Sequence, residues 1–277
     1  MAREMAFYGK GGVGKSTIAC NLSAVLAESG YKVMQVGCNP KIDSTALLLG
    51  GEPSDVNVLE HTRNHGPDEA TVRQTIVKGY KGVLCVESGG PEPAEGCAGR
   101  GVNLALDLLK RYGIYDKMQV QFVIYDVIAD VVCGGFAQPM RAGYAREVYL
   151  VTSGELMSLY SANNICKAIC TIAASGADVR VAGIVNNMRN VQNEQALVSE
   201  FSESIGVPVM AHIPRHPIVQ EGESRGATVV EAFPTSPQAT AYRTLAKQIL
   251  ENENRYMPTP LELEDIIGLL RKYKVAA

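Results

Sequence analysis

The 277 residues are 46% hydrophobic and 20% charged, an ordinary globular balance, long enough for one large α/β domain or two smaller ones. A net charge of −3 excludes a global basic footprint for nucleic acid, and no apolar run approaches the roughly 20 residues that span a bilayer. The chain starts directly in a strand pattern, so no secretory leader and a cytoplasmic location are expected, with the seven cysteines serving as thiols or metal ligands rather than disulfides.

In chain order, the apolar run Met5–Tyr8 leads into Gly9-Lys10-Gly11-Gly12-Val13-Gly14-Lys15-Ser16-Thr17 and then a helix over Ser16–Ser29. This is strand, glycine loop and helix, the context of a nucleotide phosphate loop, and Gly9, Gly14, Lys15 and Ser16 fit G-x-x-x-x-G-K-[ST] without mismatch. Glycines let backbone N–H groups turn toward phosphate oxygens, and the helix directs its partly positive end at them. Lys15 is expected at the β/γ-phosphates, Ser16 on Mg²⁺ and Thr17 on an inner phosphate.

A second strand, Lys32–Val36, ends in Gly37–Thr45, where Asp43 either orients a water near the nucleotide or caps a helix over Ser44–Leu49. The polar stretch Glu52–Pro67 reads as a surface excursion. After the strand Val83–Val86 comes Cys97 in a glycine-rich loop, followed by a helix over Gly101–Tyr112. The strand Val120–Tyr125 ends at Asp126, the expected form of the second nucleoside-triphosphatase motif, in which the acid holds Mg²⁺ directly or through water. Asp130 is a further water-positioning candidate, and Cys133 lies in Val132-Cys133-Gly134-Gly135-Phe136. On spacing alone Cys97 and Cys133 read first as ordinary thiols, because neither belongs to a C-x-x-C pair and no His lies within a few residues of either. Two cysteines cannot fill a four-thiolate site unless a second chain contributes the same pair across a two-fold axis.

The remaining elements are strands Val148–Val151, Val181–Val185 and Val207–Ala211 and helices Glu155–Ser175, Asn193–Ile205 and Ser236–Asn252. The alternation predicts an α/β fold of P-loop NTPase type, a mostly parallel sheet with helices on both faces, over residues 1–277 as a single unit. A C-terminal arm from about residue 255 carries a helix pattern over Leu261–Tyr273.

The segments Gly9–Thr17, Gly37–Thr45, Cys85–Gly101, Tyr125–Phe136 and Ala162–Ile165 resemble the nitrogenase iron protein family, including the ATP-binding reductase components of nitrogenase-like enzymes. The resemblance covers nearly the whole chain, and the run through Cys97 is its most specific part. It implies a homodimer with one [4Fe–4S] cluster held by Cys97 and Cys133 of each chain, and one MgATP per chain. Lys10 matches a lysine that reaches the other subunit's nucleotide. Asp43 falls in the first switch, and Asp126 and Asp130 in the second. Arg100 matches an arginine that docks the partner and is modified in some members. Asn186, Pro214, Arg215, Gln220, Glu223, Gln238 and Tyr242 match the adenine and ribose region. The implied activity is ATP-dependent transfer of single electrons, received from ferredoxin or flavodoxin, to a larger catalytic component. That component would reduce dinitrogen, a tetrapyrrole or a carbon–sulfur compound.

Asn39 stands where the family usually has Asp, Ala46 where Arg is common, and Ala94 and Ala129 where Gly is usual. These departures shift weight toward a paralogue serving another catalytic component. A partition or positioning ATPase of the ParA/MinD type shares the phosphate loop but has no use for the Cys97 and Cys133 loops. The acids Glu262, Glu264 and Asp265 make the tail a poor match for an anionic membrane. An iron–sulfur carrier ATPase would be expected to show a C-x-x-C, which this chain lacks.

Overall fold

In the computed structural model, residues 2–90, 98–128, 137–141 and 143–274 are described. The first half comprises β1 (Arg3–Tyr8), α1 (Lys15–Glu28), β2 (Val33–Cys38), α2 (Val58–His65), α3 (Glu69–Gln74), β3 (Val77–Lys78), β4 (Leu84–Glu87), α4 (Ala98–Arg111), α5 (Ile114–Lys117), β5 (Phe122–Val127) and α6 (Gln138–Arg141). The second half comprises β6 (Glu147–Thr152), α7 (Leu156–Ala174), β7 (Arg180–Asn187), α8 (Glu194–Ile205), β8 (Val209–Ile213), α9 (Ile218–Ser224), α10 (Val229–Ala232), α11 (Pro237–Glu251) and α12 (Leu263–Lys272).

The strands form one eight-stranded sheet in the order β3-β4-β2-β5-β1-β6-β7-β8. Every pairing is parallel except β3 with β4 at one edge. Strand alternation divides the core into two layers. Ala6 and Tyr8 of β1 pack on the side of α4, α7 and α8, whereas Met5 and Phe7 pack on the side of α1 and α11. Both faces are therefore buried, which is why the central strands are nearly continuous apolar runs. The chain order reverses around β1, so a crevice opens beyond its carboxyl end, where ligands bind in sheets of this kind.

Two stretches differ from expectation. The polar excursion contains α2, whose N-cap Asn57 accepts a hydrogen bond from the Glu60 N–H, and just beyond it lies α3, capped likewise by Asp68. The expected helix over 44–49 is a single tight turn, Ala46–Leu48, and the Asp43 side chain does not cap it.

The tail docks on the body. Tyr256 exchanges backbone hydrogen bonds with Val181, and the Asn163 side chain donates to the Leu261 carbonyl and accepts from its N–H, both at 2.8 Å. The helix α12 starts in a capping box of Glu262 and Asp265. It buries Ile266, Leu269 and Leu270 among α7 and α8. Among the described residues, no helix is long and apolar enough to cross a membrane.

Candidate functional site

The glycine loop lies between β1 and α1. Gly14 adopts φ +100°, and a β-carbon there would stand 2.3 Å from Asn187 Nδ2, so only glycine fits this close approach. That amide donates to the Val13 carbonyl at 2.7 Å and pins the loop from β7. Lys15 is buried, and its Nζ donates to the carbonyls of Gly9 (2.9 Å) and Lys10 (3.1 Å). The Thr17 hydroxyl donates to Glu223 at 3.3 Å, tying the first turn of α1 to α9. The Arg189 guanidinium donates to the Gly12 carbonyl.

Asp126 is buried on β5, in register with Phe7 of β1 and Gly37 of β2. Burial raises its carboxyl pKa, opposed by the Ser16 hydroxyl and the Lys15 ammonium, while nearby Asp43 pushes it up. A lysine, a serine hydroxyl and a carboxylate thus converge where the loop opens, a donor set suited to a magnesium phosphate. These groups border a cleft of about 300 Å³ lined also by Gly11, Asn39, Lys41, Asp43 and Ser44. Asn39 Nδ2 donates to Asp43 Oδ1 at 2.7 Å, so the departure at 39 replaces a second carboxylate with a hydrogen-bond donor to Asp43. Ile42, just before Asp43, sits at φ +53°, a strained position for a β-branched residue.

A second cleft, of about 380 Å³, meets the first at Gly12. Pro214, Arg215, Gln220, Glu223 and Tyr242 line it, with Gly14, Thr17, Asn187 and Arg189. The expectation for Asn186 needs correction. Successive strand residues face opposite ways, so Asn187 faces the cleft, while Asn186 is fully buried and pairs with His212 Nδ1 at 2.9 Å. Gln238 is not a lining residue. It donates to the Pro214 carbonyl at 3.0 Å and so holds the cleft wall. A cavity of about 430 Å³ lies at the opposite, amino-terminal ends of the strands, around Arg3, Glu4 and Tyr115, away from the phosphate loop.

Cys97, Asp130 and Cys133 lie outside the described residues, as do the departures at Ala94 and Ala129, and Arg100 lies in the first turn of α4. The other five cysteines are free thiols. Burial pushes the pKa of Cys85 and Cys166 up to about 12 and raises those of Cys20, Cys38 and Cys170, so none is a ready thiolate at neutral pH. Among the described residues, no three metal-binding side chains cluster.

Sequence reasoning missed Glu87. It ends β4 in complete burial, and its Oε1 accepts from both the N–H and the hydroxyl of Thr45 at 2.7 Å. Burial pushes its carboxyl up to about 8 against those hydrogen bonds, with Asp126 and Asp43 adding to the rise. The available signal was an acid closing an apolar strand, the same pattern that marks Asp126.

The family described as 4Fe-4S iron sulfur cluster binding proteins, NifH/frxC family, matches residues 3–276. A relative from Methanospirillum hungatei, "Nitrogenase iron protein", is 48% identical over 272 residues, covering 98% of this chain and 96% of its own. Among solved structures, the cell division ATPase MinD of Pyrococcus furiosus is similar with a TM-score of 0.69 at 24% identity, covering 91% of this chain and 99% of its own. Cobyrinic acid a,c-diamide synthase of Mycobacterium smegmatis, solved with an ATP analog and magnesium, gives a TM-score of 0.65 at 19% identity, covering 90% of this chain and 95% of its own. At these identities the structural likeness establishes the fold, that of P-loop ATPases. The match along nearly the whole sequence establishes more: this chain belongs to the NifH/frxC family of 4Fe-4S iron–sulfur cluster binding proteins.

Proposed function

We propose that this chain is an ATP-dependent electron donor, a homodimer that passes single low-potential electrons to the larger catalytic component of a nitrogenase or nitrogenase-like reductase. One observation carries the reading. The strand β5 delivers Asp126 beside Lys15 and Ser16, and the same stretch of chain continues to Cys133. A rearrangement at the phosphates then has a short covalent path to the cysteine.

In this reading Lys15 binds the β/γ-phosphates, and the N–H groups of Gly9, Gly11, Gly12 and Gly14 surround the phosphate chain. Ser16 and Asp126 hold Mg²⁺, directly or through its water, and Thr17 donates to an inner phosphate. Asp43 and Asp130 orient water for hydrolysis, and Lys10 reaches the partner subunit's nucleotide. Adenine and ribose occupy the cleft between Asn187 and Tyr242. Phosphoryl transfer here is mostly positioning and charge neutralisation. When bound, Mg²⁺ neutralises phosphate charge, and a [4Fe–4S] cluster takes up and releases one electron at a time. Cys97 and Cys133 of each chain would supply the four thiolates, and Arg100, at the start of α4, would meet the catalytic component. A cytoplasmic ferredoxin or flavodoxin supplies the electron, and the final substrate is reduced on the partner. Neither nucleic acid nor membrane takes part; the docked tail helix supports the latter, because its buried Ile266, Leu269 and Leu270 are not offered to lipid.

The test is an anaerobic pull-down from the native organism with a non-hydrolysed ATP analogue. The expected product is a larger protein retained only with the analogue, which oxidises the reduced chain when MgATP is added. Retention of DNA or liposomes in its place, with no electron transfer, overturns the proposal.

A further inference from the structure

The chain leading into the Cys97 segment rests on the loop after β2. The Ser88 N–H donates to the Gly37 carbonyl at 2.9 Å, and a β-carbon on Gly90 would stand 2.3 Å from Pro40 Cβ. On the far side, a β-carbon on Gly101 of α4 would lie 3.0 Å from the Gly89 carbonyl oxygen and 3.3 Å from Gly90 Cα. Residues 89–90 and 101 therefore touch, closing the base of the segment that contains Cys97, and that base sits against Pro40. The same loop carries Asn39 and Asp43 on the nucleotide side and the strained Ile42 between them.

Glu87 stands at this junction. It is fully buried, and its Oε1 takes both hydrogen-bond donors of Thr45, the last residue of the loop. Its Oε2 lies over β2, where a β-carbon on Gly37 would come within 2.0 Å. This oxygen has no hydrogen-bond partner among the described residues, an arrangement that costs free energy and is kept only where the surrounding structure dictates it. The carboxyl is mostly protonated near neutral pH, so a glutamine is close to it in both shape and charge.

We infer that Glu87 is a positioning residue: its clasp on Thr45 fixes the nucleotide-side loop to the base of the Cys97 segment, so that a rearrangement of the loop is carried to the cysteine. This rests on the proposed ATP-driven reading and adds a second route, from β2 to β4, beside the one from Asp126 to Cys133.

The test is hydrogen exchange on the full-length, anaerobically purified protein, with and without MgATP, following residues 38–46 and 84–90, alongside binding of a fluorescent ATP. In the wild type, MgATP slows exchange in both segments. In Glu87→Ala, MgATP binds within about threefold of wild type and still slows residues 38–46, but most of the slowing at 84–90 is lost; in Thr45→Val, which keeps the backbone N–H bond to Glu87 and loses the hydroxyl one, about half of it is lost. Glu87→Gln, which keeps an acceptor for Thr45, retains it. Should Glu87→Ala not fold, Thr45→Val weakens the clasp from the other side by removing its hydroxyl bond. Normal MgATP binding with an undiminished response at 84–90 in the clasp-breaking variants overturns this inference alone, as does a Glu87→Gln protein that behaves like Glu87→Ala. Failure of the wild type to bind MgATP overturns the reading of the site, and this inference with it.

Discussion

Replacing Glu87 with glutamine should change how stability depends on pH, in a direction the structure dictates. The carboxyl titrates at about 8 in the folded protein against an ordinary 4.5. Between those values the folded state binds more protons than the unfolded state, so the wild type loses stability as pH rises from 4.5 toward 8. Glutamine keeps the acceptor for Thr45 and does not titrate. The difference between Glu87→Gln and wild type should therefore grow in the variant's favour by up to about 1.4 kcal/mol per pH unit, reaching on the order of 3 kcal/mol near pH 7. It should level off above pH 8. The assay is urea unfolding at fixed protein concentration and at closely spaced pH values between 5 and 8.5. Parallel stability curves for the two proteins would refute the reasoning, because they would mean that Glu87 is ionised in the folded state throughout this range.

Other substitutions test the remaining parts of the site. Lys15→Ala should lower the ATP hydrolysis rate by about a hundredfold or more without unfolding the chain, checked by steady-state hydrolysis and circular dichroism. Gly37→Ala forces a methyl group against Glu87 Oε2 and to 2.7 Å from Ser44 Cβ, and should cost about 1–3 kcal/mol in urea unfolding. Asn39→Asp replaces the donor to Asp43 with a second carboxylate, so urea unfolding at neutral pH should show a loss of about 1 kcal/mol.

The strands were legible because burial on both faces makes them unbroken apolar runs, and the phosphate loop because its spacing admits few other residues. What ends a strand was less legible. The strand β2 runs on to Cys38, past the expected Val36, because Gly37 pairs in register with Asp126, a partner far off in sequence. The helix α2 was hidden by its polarity, although Asn57 and Glu60, three residues apart, are an N-terminal capping pattern. The face chosen by Asn187 over Asn186 depends on the register of β7 against β8, which no local pattern encodes. Glu87 follows an apolar strand as Asp126 does, but its burial beside Thr45 depends on the pairing of β4 with β2, which is not local in sequence. The hydrogen bond between Asn39 and Asp43 likewise turns a departure visible in sequence into a specific contact.

Whether the phosphate loop serves an iron–sulfur electron donor is decided by anaerobic purification with iron counting and EPR of the reduced protein. Four irons and one [4Fe–4S] signal per two chains are expected, with both lost in Cys97→Ser and in Cys133→Ser. A dimer without iron, or a Cys97→Ser protein that keeps the signal and full electron transfer, would contradict that role.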